Sequence, residues 1–185
     1  VEIPEEIIKR VCLKDEQAYE ELFQLTWNQA IRTCWLILRN LHDAEEAAQD
    51  AFIKLYIHRH HLQNTHAFRS WFYRILVNTA LDQVRKRKAA VNIDEVSLAN
   101  QDNDILQAEH RIIIDKAMKH LSYDERTAIV LVHFIGCTEA EAAKIAGWTR
   151  GKLKYRLNRA RYILEQAING EINSKINPKG GIHHV

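Results

Sequence analysis

The chain has 185 residues, with 26 Lys and Arg against 24 Asp and Glu, six Gly, two Pro and three Cys. Hydrophobic content of 46% and charged content of 27% exclude a wholly disordered or collagen-like polypeptide, and the length accommodates one domain or two small ones. The prolines are Pro4 and Pro178 and the first glycine is Gly136, so residues 5–135 hold neither breaker. Turn-rich β architectures place such residues every ~8–12 positions, so an all-α fold is expected.

No apolar run approaches the ~20 residues that span a bilayer, and no direct membrane insertion is expected. The opening VEIPEEIIKR is acidic and lacks a signal-peptide apolar core. Cys12, Cys34 and Cys137 are odd in number and widely spaced, without a CxxC pair. That usage argues against a disulfide framework or a Cys-based zinc site and fits a reducing, cytoplasmic setting.

Residues 1–12 read as an N-terminal extension, followed by a helical domain over 13–88. Ala18, Leu22, Phe23 and Leu25, then Ile31, Trp35 and Leu38, recur at helical spacing. A second helix is predicted to open at Asp43, with Glu46 three residues on, in the manner of a capping box, and to bury Ala47, Ala51 or Phe52, and Leu55. The polar stretch HRHHLQNTH over 58–66 interrupts the pattern. A third helix is predicted from about 67 to 88, with Phe68, Phe72, Ile75, Leu76, Thr79 and Val84 available to a core and a cationic C-terminal end that complements the helix dipole.

Charge marks the boundary that glycine and proline do not. Residues 54–88 hold eight Lys or Arg against Asp82 alone, residues 89–109 hold five acids and no Lys or Arg, and residues 147–161 hold six Lys or Arg and no acid. The segment 89–108 lacks a sustained helical period and offers little apolar surface to offset its ordering entropy, so it reads as a flexible acidic linker. A second helical domain follows over 109–170. It contains a Ser122/Glu125 capping box, a permissive Gly136, a Thr138/Glu141 capping box, Gly147 in the next turn and Thr149 before the last helix. A short helix, a glycine turn and a longer cationic helix make a helix-turn-helix pattern. The tail over 171–185 is rich in Asn, Lys and Gly and is expected to be disordered in isolation.

In the last helix Leu153, Leu157, Ala160 and Leu164 form a buried stripe, while Arg150, Lys154, Asn158 and Arg161 fall on another face. A helix entering a DNA major groove needs cations at its edges for phosphate and donors toward its N-terminal half for bases. In the third helix Trp71, Phe72 and Tyr73 alternate with Arg69 and Arg74, a combination suited to unstacked bases, although Phe72 and Tyr73 are as readily explained as core. His58, His60, His61 and His66 have no carboxylate or Cys nearby to complete a metal site, and a solvated or nucleic-acid-facing loop explains them better. Neither a phosphate loop, a nucleophile elbow nor a carboxylate pair is present, so catalysis, metals and cofactors are not expected.

Two blocks carry a resemblance. DAEEAAQDAFIKLY with FRSWFYRILVNTALDQVRKRK resembles region 2 of bacterial sigma factors of the extracytoplasmic-function (ECF) group. LSYDERTAIVLVHFIGCTEAEAAKIAGWTRGKLKYRLNRARYIL resembles their region 4. The resemblance implies two small helical domains joined by the linker, in a factor that guides core RNA polymerase to −35 and −10 promoter DNA.

Position by position, it implies that Glu46, Gln49, Asp50 and Ile53 meet the β′ clamp helices of the polymerase, with the β flap as a second contact. Gln63, Asn64, Thr65 and His66 would take up a base flipped from the −10 strand. Trp71, Arg74 and Asn78 would lie beside the melted strand, with Arg85, Lys86, Arg87 and Lys88 on phosphate. Lys154, Tyr155, Asn158 and Arg159 would read the −35 element, with Arg150, Lys152 and Arg156 on its backbone. An anti-sigma factor, often a membrane protein in the family, is an implied partner. Tyr155 stands where the family usually has Ser, Lys152 where it has Thr, and Trp148 where it has an aliphatic residue, so the −35 preference does not transfer. The competing expectations are a dimeric helix-turn-helix regulator that needs no polymerase and a metal-dependent nucleic-acid enzyme built on the histidines.

Overall fold

A computed structural model of the chain describes residues 3–61, 65–90 and 117–176, with side chains described at 3–60, 65–87 and 117–169. Every element among these residues is helical. The predicted linker, apart from residues 89–90, and the tail from residue 177 on lie outside them.

The extension is itself a helix, α1 (Glu5–Cys12), entered through Pro4 and carrying Glu5 and Glu6 at its positive end and Lys9 and Arg10 at its negative end. Lys14, in the left-handed region at φ 65°, turns the chain into Asp15, whose carboxylate accepts the Ala18 N–H at 3.0 Å and caps α2 (Glu16–Leu38). Arg10 braces this corner with Nε 2.8 Å from Asp15 and Nη1 3.3 Å from Glu21. Arg10, followed by the Ala18 amide, holds the Asp15 carboxyl below the usual carboxylate range.

The next corner is also made without glycine. Arg39 adopts φ 58°, donates its N–H to the Trp35 carbonyl at 2.7 Å and lays its guanidinium 3.9 Å from the centre of the Trp35 ring. Asn40 then caps α3 (Leu41–His58) through the Asp43 N–H at 3.0 Å. The helix therefore opens two residues before Asp43, the predicted start. Asp43 sits inside the first turn, buried, and its Oδ1 accepts from Arg87 of α4 (Phe68–Ala90). Burial pushes the Asp43 carboxyl up, against the pull of Arg87.

The α2–α3–α4 bundle closes on alanine and aromatics. Ala44, Ala47, Ala48 and Ala51 let α3 approach its neighbours closely, and Phe52 fills the centre with ring centroids 4.8 Å from Phe23 and 5.5 Å from Phe72. Phe72 and Tyr73 are both buried, as the core reading expected, and Gln29 donates to the Tyr73 hydroxyl at 2.6 Å.

In the second unit, Ser122 caps α5 (Tyr123–Ile129) with both capping-box bonds made. The helix does not continue as a plain α-helix. It widens into a π-helix over Val130–Phe134, where Ile135 N–H donates to the Val130 carbonyl at 2.9 Å. Gly136 at φ 78° then reverses the chain, as expected. Thr138 opens α6 (Glu139–Ala146) with the second capping box, Gly147 closes it at φ 67°, and Thr149 caps α7 (Arg150–Ile176) through the Lys152 N–H at 3.2 Å. Helix α7 runs six residues past the predicted domain end. Leu153, Leu157 and Ala160 are wholly buried on its inner face.

The two units touch. Helix α4 packs on α6, and α2 on α5 and the π-helix. The Arg69 guanidinium donates to the Ile135 carbonyl, so a cation from the first unit caps the C-terminal end of the π-helix in the second.

Cys34 lies wholly inside the bundle, where burial pushes its thiol up to about 12. It is protonated and shielded at neutral pH, so iodoacetamide at pH 8 will label Cys12 and Cys137 in the native chain and leave Cys34 unmodified until denaturant is added, as peptide mass spectrometry will read. Leu157→Ala will cost about 2–5 kcal/mol in urea unfolding, whereas Lys154→Ala on the opposite face will stay within about 0.5 kcal/mol.

Candidate nucleic-acid interface

The exposed face of α7 exists because its buried stripe and the Thr149 cap fix the helix against α5 and α6. Arg150, Lys154 and Asn158 project from this face and are exposed. Their neighbours are already engaged. Lys152 Nζ and Arg156 Nη2 lie 3.5 and 3.3 Å from Asp124 Oδ2, and Lys152 also sits 4.6 Å from the Trp148 ring centre. Arg159 Nε is 2.9 Å from Glu125 Oε1, and its Nη1 donates to the Tyr155 hydroxyl at 3.2 Å. Arg161 Nη2 lies 3.4 Å from His133 Nε2. The cationic face therefore splits into side chains free to meet a ligand and side chains held by two acids at the start of α5.

A second face lies on α3. Glu46, Gln49 and Ile53 are exposed and Asp50 is half-buried, in one row at helical spacing. The row continues through Tyr56 and Ile57, which the sequence reading passed over, and Ile53 and Ile57 are 57% and 56% exposed. Two large aliphatic side chains thus stand exposed one turn apart, in line with the acids Glu46 and Asp50. The i, i+4 spacing of Ile53 and Ile57 was available in the sequence, but an apolar residue there reads equally well as core.

The third group lies along α4 and the turn before it. Thr65 donates to Glu5 Oε1 at 2.9 Å, which, with Lys9, holds the Glu5 carboxyl below its ordinary range. His66 is exposed, while Gln63 and Asn64 lie outside the described residues. Trp71 is half-buried with its ring 6.2 Å from Phe68, Arg74 is exposed and Asn78 is half-buried. Farther along, Arg85 pairs with Asp82 at 2.5 Å, Lys86 is exposed and Arg87 is committed to Asp43; the Lys88 side chain lies outside the described set.

Between the units, Arg126 is buried over the Tyr123 ring at 4.6 Å, and desolvation, with a smaller push from nearby Arg39, lowers its pKa. Among the described residues one metal-type cluster occurs, His42, Asp43 and Glu46, with ligand atoms within 4.8 Å of one another. Its Asp43 is the residue paired to Arg87. No described helix is long and apolar enough to cross a membrane.

Two family models match separate stretches of the chain. Residues 28–90 match the family model for sigma-70 region 2, and residues 111–164 match the model for sigma-70 region 4. The chain is 30% identical to the ECF RNA polymerase sigma factor SigM of Mycobacterium tuberculosis over 88% of this chain and 83% of the relative. It is 26% identical to the ECF RNA polymerase sigma factor SigW of Bacillus subtilis over 87% of this chain and 94% of the relative. Among solved structures it resembles the sigma factor RpoE of Bartonella quintana, crystallised with the anti-sigma factor NepR. That match has a TM-score of 0.64 and 25% identity, and it covers 82% of this chain and 96% of the other.

Removing the cation that joins the units will loosen their contact. A compact chain of this length has a radius of gyration of about 16 Å. Small-angle scattering of Arg69→Ala will give a larger value than the unsubstituted chain, with helical content by circular dichroism unchanged.

Proposed function

The chain belongs to the sigma-70 family, in its ECF group, and from that membership we propose how its residues divide the work of transcription initiation. It is an alternative sigma factor that directs core RNA polymerase to promoters. It works in the cytoplasm as a non-enzymatic partner, and the polymerase supplies the chemistry.

The unit over 13–88 docks on the polymerase and opens the −10 element. The α3 strip of Glu46, Gln49, Asp50 and Ile53, extended by Tyr56 and Ile57, lies on the β′ clamp helices. Acids around an exposed aliphatic pair favour a partial-basic partner surface, and burying Ile53 and Ile57 supplies the apolar share of the contact. Gln63, Asn64, Thr65 and His66 take up a flipped base, whose unstacking costs a few kcal/mol that pocket contacts recover. Trp71, Arg74 and Asn78 line the melted strand, and Arg85, Lys86, Arg87 and Lys88 meet phosphate.

The unit over 109–170 carries α7 into the −35 major groove and its other side to the β flap. Lys154, Tyr155, Asn158 and Arg159 face bases, while Arg150, Lys152 and Arg156 hold backbone. An anti-sigma factor is the regulatory partner, as NepR is for the structurally similar RpoE.

The units must separate for both sites to engage. Promoter elements about 25 base pairs apart lie roughly 85 Å apart at ~3.4 Å per step, twice the span of a compact chain of this size. The segment over 89–108 supplies the reach, and tethering keeps each site at a high effective concentration for the other.

The observation that carries this reading is the pairing, in one chain, of the exposed acidic and aliphatic α3 strip with a capped helix-turn-helix whose outer face is cationic. Run-off transcription with core polymerase and a promoter library tests it, and failure to bind core or to initiate overturns it. Ile53→Glu will abolish core binding while leaving the fold intact. Arg150→Ala, at a backbone position, will keep core binding and reduce the slope of log affinity against log salt by about one. Trp71→Ala will impair melting more than core binding, as permanganate reactivity at the −10 strand will report.

A further inference from the structure

The two capping boxes of the second unit use the same motif differently. In the Thr138 box, Glu141 is exposed and its Oε2 turns back on its own cap, accepting from the Thr138 amide at 2.9 Å and from its hydroxyl at 2.8 Å. In the Ser122 box, Glu125 is 3% exposed and both its oxygens are used: Oε2 accepts the Ser122 N–H at 2.8 Å, and Oε1 faces Arg159 Nε at 2.9 Å on α7. The cap needs only the first of these bonds, which a neutral glutamine would make as well. The charge and the second oxygen are aimed at the helix proposed to enter DNA.

Arg159 passes the constraint on. Its Nη1 donates to the hydroxyl of Tyr155, one turn earlier on the same face. Two of its three guanidinium nitrogens are therefore held, while Nη2 has no protein partner among the described residues and the side chain remains 55% exposed. Tyr155 presents its ring to solvent beside it. Asp124, next to Glu125, is a different case: it is partly exposed, and its contacts to Lys152 and Arg156 are 3.5 and 3.3 Å long, looser than the Glu125 pair and closer to solvent. Arginine carries large rotamer freedom, and ordering it during folding removes that cost from the encounter with DNA.

We propose that Glu125 is a positioning residue for promoter recognition, holding Arg159 and Tyr155 as one preorganised reading unit on α7. The Tyr155 ring is offered to a thymine methyl, and the free Nη2 of Arg159 to the O6 or N7 of a guanine at a neighbouring base pair. The proposal rests on the assignment of α7 to the −35 element and adds the device that sets its base preference.

The test uses the full chain with core polymerase and a promoter library randomised across the −35 element, comparing the unsubstituted chain with Glu125→Gln, Tyr155→Phe and the double variant. Glutamine keeps the acceptor for Ser122, and Tyr155 is exposed, so neither change endangers the fold; melting temperature and core affinity are measured alongside. Both single variants are expected to flatten preference at the same one or two positions, lowering discrimination against the next-best base about tenfold. The double variant is expected to be no flatter than Glu125→Gln alone, because the residues act as a unit. An unsubstituted chain with no −35 preference overturns the α7 assignment and this proposal together. A clear preference that both single variants retain, or a loss of initiation uniform over all sequences, overturns this proposal alone.

Discussion

A helix end leaves backbone N–H and C=O groups without partners, and a chain without glycine or proline across residues 5–135 has to satisfy them with side chains. Asp15, Asn40 and Ser122 each accept an amide from the first turn of the helix they precede, and Thr138 and Thr149 do the same beyond that stretch. Each such cap contributes about 1 kcal/mol. Together they fix where the corners fall and so which residues line each face. The corner at Arg39 shows the constraint most sharply: a non-glycine residue is held at positive φ, a conformation costing roughly 1–2 kcal/mol. The bond to the Trp35 carbonyl and the contact with the Trp35 ring offset that cost.

Local rules made much of this legible from sequence alone. Both capping boxes span four residues, the left-handed glycines lie within two residues of their helix ends, and the Leu153, Leu157 and Ala160 stripe repeats at one period. The Asp43/Glu46 spacing points to a start at Asp43, whereas the cap is Asn40 and Asp43 is spent inside the first turn on Arg87, a partner far away in sequence. The π-helix depends on which carbonyl each amide selects, a choice that composition does not encode. Helix α1 is too short for its pattern to stand out from the acidic opening.

For the functional faces, sequence found the residue types but not their partners. Six cations in residues 147–161 read as one basic surface. Asp124 and Glu125, more than 25 residues earlier, take up three of them. Likewise Arg87 answers Asp43 and Arg85 answers Asp82. The near-neutral total is therefore partly a local property: acids sit against the very cations expected to meet phosphate. Ion pairs of this kind restrain the cations in rotamers that face outward, and they lower the field that would attract any polyanion indiscriminately. The same non-local pairing hid the role of Glu125, which by spacing alone is an ordinary capping residue.

Arg69 caps the π-helix from a position two residues before Trp71, on the helix that the proposed function lays along melted DNA. The Arg69–Ile135 bond exists only while the units touch, so it is linked to any binding that needs them apart. If only a fraction of free molecules have the units apart, the apparent affinity for a partner that requires them apart falls by that fraction. A partner that requires the joined arrangement is weakened only by the remaining fraction, and so hardly at all where the joined form dominates. One arginine on a carbonyl thus adds its bond energy to the joined arrangement and sets part of the cost of any event that parts the units.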